Sequence, residues 1–127
     1  MESATDMAQQ SEIKFRITLD ESKIPEKLEW SATDSENEDF SECKTMMLTL
    51  WDAKERATMS IDLWTKDMMI DDMNILFHQT LLKLGDTYNR ATNNFEISEM
   101  FRKFADEFAV KLELLPNSPV KTTEKDL

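Results

Sequence analysis

Apolar residues recur at every second position through the first half of this chain and switch, near Asp71, to a spacing of three and four. Ile13, Phe15, Ile17 and Leu19 alternate with Lys14, Arg16 and Thr18, the pattern of a half-buried strand. Residues 20–26 turn the chain, helped by Pro25, and Leu28, Trp30 and Ala32 then alternate with Glu29 and Ser31 as a second strand. Met46, Leu48 and Leu50 form the inner face of a third strand, and Met59, Ile61 and Leu63 that of a fourth. Residues facing each other in a hairpin share a side of the sheet, so inner residues pair with inner ones. Leu50 then faces Met59, Leu48 faces Ile61 and Met46 faces Leu63, around a loop at residues 53–56. That loop holds no Gly, which disfavours a tight two-residue turn.

From about residue 70 to 92 the period is helical, with Met73, Phe77, Leu81, Leu84 and Tyr88 in one stripe, widened by Leu76 and Ala91. Asp71 and Asp72 lie in the first turn, where the helix dipole favours anions. Asn93 and Asn94 interrupt the pattern, and Asn94 suits an N-cap. Ile97, Phe101, Phe104, Phe108 and Leu112 stripe a second helix, beside Met100 and Ala105, and Pro116 ends it. Strands followed by helices predict an α+β fold. The expected architecture is one four-stranded antiparallel sheet of two hairpins, then two C-terminal helices packed on the face carrying Phe15, Trp30, Leu48 and Ile61. Residues 11–115 are expected to form a single domain. Residues 1–10 and 116–127, polar and without period, read as disordered tails.

Composition narrows the classes of function. The 127 residues, 40% hydrophobic and 32% charged, suit one soluble globular domain with a working core. One cysteine, Cys43, excludes an internal disulfide and suits a reducing compartment. The N-terminal stretch MESATDMAQQ has neither a basic nor an apolar segment of a signal peptide, and no apolar run approaches a membrane span. A cytoplasmic location is the expectation. The net charge of −11 repels phosphate backbones and anionic lipid, so neither nucleic acid nor membrane insertion is expected.

Few residues suggest chemistry. His78, the single histidine, has no nucleophile elbow to serve, and one His with one Cys makes no usual zinc site. It reads as a partly exposed structural residue. Cys43 has Lys44 beside it, offset by Glu42, and reads as inert. Asp34, Glu36 and Glu38 in the acidic stretch TDSENEDFSE offer alternating oxygens, without the central Gly or flanking helices of an EF-hand. A solvated loop is the plainer reading. Gly85, the single glycine, lies mid-helix at a cost of about 1 kcal/mol relative to Ala. A close crossing would justify it, as would a hinge or partner groove. Trp51, Trp64 and Met47 fall on the outer face of the third and fourth strands, with Thr45, Thr49, Thr58, Ser60 and Asp62. They are either scattered exposures or an interaction surface, since Trp and Met are enriched at interfaces.

The segments SEIKFRITLDE, KIPEKLEW, MMLTLWDAKE, IDLWTKDM, FHQTL and FADEFAVKLEL, spread over residues 11–115, resemble the GldC family of bacterial gliding motility. The resemblance implies an accessory role in the motility machinery of the Bacteroidetes, which is linked to a secretion system of the cell envelope. It implies no enzymatic activity, no cofactor and no catalytic residues. Partners would be other gliding-motility or envelope-machinery proteins, with a homodimer left open. The rival from the residues themselves is a carrier of a small apolar ligand, with several of the nine Met residues lining an adaptable pocket between sheet and helices.

Overall fold

The structure, a computed structural model, describes residues 8–33 and 39–114. Of the expected tails at 1–10 and 116–127, residues 1–7 and all of 116–127, with Pro116, lie outside the described residues, as do Asp34, Glu36 and Glu38. The chain forms two compact units, one reaching Met68 and one starting at Met69.

Among the described residues the first unit holds five strands: β1 (Ile13–Leu19), β2 (Pro25–Ala32), β3 (Ser41–Cys43), β4 (Thr45–Asp52) and β5 (Ala57–Trp64). They form a three-stranded sheet, β1-β2-β3, and a two-stranded sheet, β4-β5, all antiparallel. The single four-stranded sheet predicted from the alternation is therefore corrected to two sheets. Its third strand is a run from Ser41 to Asp52 that changes sheets at Lys44. The chain bends there, as strands do at sheet corners, and Lys44 joins neither ladder. Its carbonyl accepts the Thr65 N–H at 3.0 Å, which anchors the corner.

Local chemistry sets the turns. The Asp20 carboxylate accepts the N–H groups of Ser22 at 2.8 Å and Ile24 at 3.0 Å, closing the β1–β2 turn as an Asx turn. Lys23 takes the left-handed conformation there, with φ of 62°. In the β4–β5 loop Asp52 plays the same part, accepting from Lys54 at 2.9 Å and Glu55 at 3.3 Å, and Arg56 supplies the positive φ, 52°. The pairing Leu50–Met59, Leu48–Ile61 and Met46–Leu63 is the one expected from the sequence. Leu28 is fully buried at the centre of this unit, with Ala32, Met46 and Thr65 also buried.

The second unit is a helical hairpin, α1 (Ile70–Thr92) and α2 (Phe95–Lys111). Asp71 and Asp72 occupy the first turn of α1. Asn93 ends it in the left-handed conformation, and the Asn94 side chain caps α2 by accepting the Ile97 N–H at 3.2 Å. The contact between the helices is made by small residues. Gly85, Ser98 and Ala105 are its buried positions, and the Ser98 hydroxyl donates to the Gly85 carbonyl at 2.7 Å. A Cβ on Gly85 would lie 3.1 Å from both Phe101 Cβ and the Ser98 carbonyl oxygen. Close packing thus accounts for the glycine. Tyr88 and Phe101 flank the crossing with ring centroids 5.8 Å apart. The bulkier stripe residues Phe77, Leu84 and Phe104 are exposed.

Candidate functional site

The β4–β5 hairpin carries the largest exposed side chains of the first unit. Alternation along β4 sends Thr45, Met47, Thr49 and Trp51 to one face, and their partners Trp64, Asp62, Ser60 and Thr58 share it. Trp51 is 62% exposed, Trp64 55% and Met47 39%. The register sets the two indoles six residues apart along the ribbon, about 20 Å at 3.4 Å per residue. Between them lie Met47, Thr49, Ser60 and Asp62, so the face is an apolar pair with a mostly polar middle. The opposite face is apolar too. Met46 is buried at the corner, while Leu50, Met59 and Ile61 toward the loop are exposed.

Charged groups brace the base of this ribbon. Lys44 at the corner pairs with Asp67 at 3.0 Å and Glu42 at 3.4 Å, which raises its pKa above the usual lysine value. Asp67 accepts hydrogen bonds from the buried Thr65 hydroxyl and from Lys44, and both hold its carboxyl below the usual carboxylate range. Lys66 reaches back to Asp20 in the β1–β2 turn, lowering the Asp20 pKa and raising its own. Thr65, Lys66 and Asp67 thereby tie the end of β5 to both the corner and the first turn. Alternation does not reveal them, because they follow the last strand.

The other candidates do not converge. Cys43 is half-buried, and burial, with Glu42 beside it, pushes its thiol up, away from the reactive thiolate. His78 lies in the helical unit, in a groove of about 850 Å³ between α1 and α2, with Asp71, Gln79, Arg102 and Asp106. The groove is partly open to solvent, and its walls mix these polar groups with Ile75, Leu82 and Val110. Among the described residues, no three His, Cys, Asp or Glu side chains are grouped to hold a metal ion. No helix among them is long and apolar enough to cross a membrane.

The structure leaves Trp51, Trp64 and Met47 together on one ribbon face, while His78 and Gly85 belong to the helical unit. No curated protein matches the chain, and no solved structure does. A protein family does match, described as "Gliding motility-associated protein GldC-like", over residues 25–114. That span takes in β2 through the end of α2, including the corner at Lys44, the exposed ribbon and the Gly85 crossing. The chain belongs to the GldC-like family of gliding motility-associated proteins.

Proposed function

We propose that this protein is a cytoplasmic accessory component of gliding motility that works by protein–protein contact and catalyses no reaction. Trp51, Trp64 and Met47 are its partner surface, and the partner is another component of the motility or envelope machinery. One observation carries this reading: two tryptophans more than half exposed on the same face of one β-ribbon. An indole left in water forgoes about 1.5–3 kcal/mol of burial, which a docking partner recovers, and Trp is prominent among interface hot spots. The cytoplasmic assignment rests on a lone cysteine that can form no internal disulfide.

The test is genetic and biochemical together. Deleting the gene in a gliding species is expected to abolish or reduce colony spreading without slowing growth. Restoring the gene with Trp51→Ser and Trp64→Ser is expected to leave spreading impaired and partner capture weakened, at near-normal protein abundance. Full restoration by the double variant would rule out this surface. Normal spreading of the deletion strain would rule out the motility role.

A further inference from the structure

We propose that the groove between α1 and α2 is the seat of the chain's own residues 115–120, which dock in it as an extended, proline-braced segment. The proposal concerns the helical unit alone, and it does not depend on the motility role.

The end of α2 aims the chain at the groove. Leu114 donates its N–H to the Ala109 carbonyl at 2.9 Å, and Glu113 donates to that of Val110 at 3.1 Å. This nested pair is a Schellman motif, which folds the chain back over the last turn of its helix. Its pivot is Glu113, with φ of 54°. Glycine is the usual residue at such a pivot, and any other adopts that conformation at a cost. The reversal sets Leu112, Glu113 and Leu114 on the groove wall, beside Asp71 at the start of α1. Residue 115 therefore follows from the mouth of the groove. The stripe of Phe77, Leu84 and Phe104 is no rival seat. Along α1, Phe77 and Leu84 lie about half a turn of helix away from the groove residues Ile75 and Leu82.

Length and chemistry fit the segment to this seat. The groove runs from Leu114 and Asp71 to Leu82 and Arg102. From Asp71 to Leu82 is about 16 Å at 1.5 Å per helical residue. The residues after Leu114 read LPNSPV. At about 3.1 Å each in the polyproline conformation, residues 115–120 span about 19 Å, enough to run the groove's length. Pro116 and Pro119 hold their own φ near that conformation and restrict Leu115 and Ser118 before them. With three residues per turn, the two prolines fall on one edge. The groove offers that edge Ile75, Leu82 and Val110, and Val110 is 79% exposed. A polyproline backbone makes no internal hydrogen bonds, so its carbonyls need donors. Asn74, His78, Gln79 and Arg102 line the same groove and carry them. Proline-rich segments are recognised by an apolar floor, here aliphatic, with polar groups beside it, and they lose little freedom on docking. The lack of apolar period after residue 115 is no obstacle, because the polyproline period is three. The tether favours this segment over an outside peptide. Joined directly to Leu114, it meets the groove at an effective concentration of the order of millimolar.

Methyl NMR of the full chain with a spin label tests this. In a Cys43→Ser background the label is attached at Ser118→Cys, and its broadening of nearby signals falls steeply with distance. The methyl signals of Ile75, Leu82 and Val110 are expected to lose most of their intensity, and those of Leu84 and Ile97 on the opposite face much less. Leu82 is decisive, because it lies at the far end of the groove from Leu114. Val110→Asp, which puts a charge on the floor, is expected to reduce the Leu82 effect at least fivefold. The pair Pro116→Gly and Pro119→Gly, which loosens the segment without touching either helix, is expected to do the same. A Leu82 signal broadened as little as that of Leu84 overturns the proposal. So does undiminished broadening in the glycine pair. Equal broadening in isotope-labelled chains mixed with separate spin-labelled ones overturns it too, since the occupant would then be a second copy. If Val110→Asp does not fold, as read by circular dichroism, the glycine pair decides.

Discussion

Replacing Gly85 with Ala tests how tightly α1 and α2 are held. Two effects of opposite sign meet at this position. Ala is the better helix former by about 1 kcal/mol in a helix interior, and that gain is independent of the neighbours. Against it, the added Cβ would sit 3.1 Å from Phe101 Cβ and from the Ser98 carbonyl oxygen. Carbon atoms pack at about 3.5–4.0 Å, so a separation of several tenths of an ångström is needed. Neither obstacle is the tip of a flexible side chain. One is backbone and the other is fixed to it, so α2 must move as a body. Overpacking of this kind costs about 1–3 kcal/mol. The movement also stretches the bond from the buried Ser98 hydroxyl to the Gly85 carbonyl, 2.7 Å as it stands. A partly lost hydrogen bond adds up to about 1 kcal/mol. The net expectation is a loss of about 1–2 kcal/mol, with Gly85→Leu costing at least about 2 kcal/mol more. Urea denaturation followed by circular dichroism at the helical band reads this unit. All three tryptophans lie before Met69, so their fluorescence reports the strand unit separately. Stabilisation by Gly85→Ala of the full ~1 kcal/mol would refute the reasoning, because it would mean the crossing yields at no cost.

Leu28→Ala, at the fully buried centre of the strand unit, is expected to cost about 2–5 kcal/mol, with tryptophan fluorescence in urea as the readout; a loss under about 1 kcal/mol would place the core elsewhere. The ion pairs set a pH window. Asp20 and Asp67 have lowered pKa values, so their contribution is complete above the unfolded carboxylate value of about 4 and is lost as pH falls through their folded values. Lys44 and Lys66 are raised, so theirs is complete below about 10.5 and is lost as pH climbs through their folded values. The urea midpoint of the strand unit is expected to decline on both sides of that window, and salt should flatten the decline because these groups are exposed. A midpoint that rises between pH 5 and pH 3 would contradict the assignment.

The strands and their pairing were readable where alternation was clean. Leu50, Leu48 and Met46 against Met59, Ile61 and Leu63 required only parity, and parity also sent Trp51, Trp64 and Met47 to one face. The corner at Lys44 was not readable. The segment CKTMMLTLW has no Gly or Pro to mark a bend, so the run looked like one strand of one sheet. β3, only three residues long and without alternation, gave no signal of its own. In the helices, periodicity weighted bulk. It traced Phe77, Leu84 and Phe104, whereas the crossing is built from Gly85, Ser98 and Ala105. Small residues carry little hydrophobic weight, and Ser98 counts as polar, so the contact was legible only at Gly85, at Ala105 and at the stripe positions Tyr88 and Phe101 that flank it. The cap at Asn94 was legible because its chemistry is local.

Among the described residues every ladder, and the crossing of the two helices, joins neighbours in sequence: β1 with β2, β2 with β3, β4 with β5, α1 with α2. Each ladder closes over a short loop, so its search is brief, while the contacts of β2 with β5 and of Lys66 with Asp20 follow once both hairpins exist. A hairpin forms in about 1–10 μs, and a helix faster still. On the ribosome, where about 5–20 residues are added each second, each piece has time to assemble before the next emerges. The β4–β5 ribbon is therefore complete, with its two indoles in water, for a second or more before the helical hairpin has been synthesised. In that interval the acids that give the chain its −11 act as its solubiliser, keeping nascent copies apart.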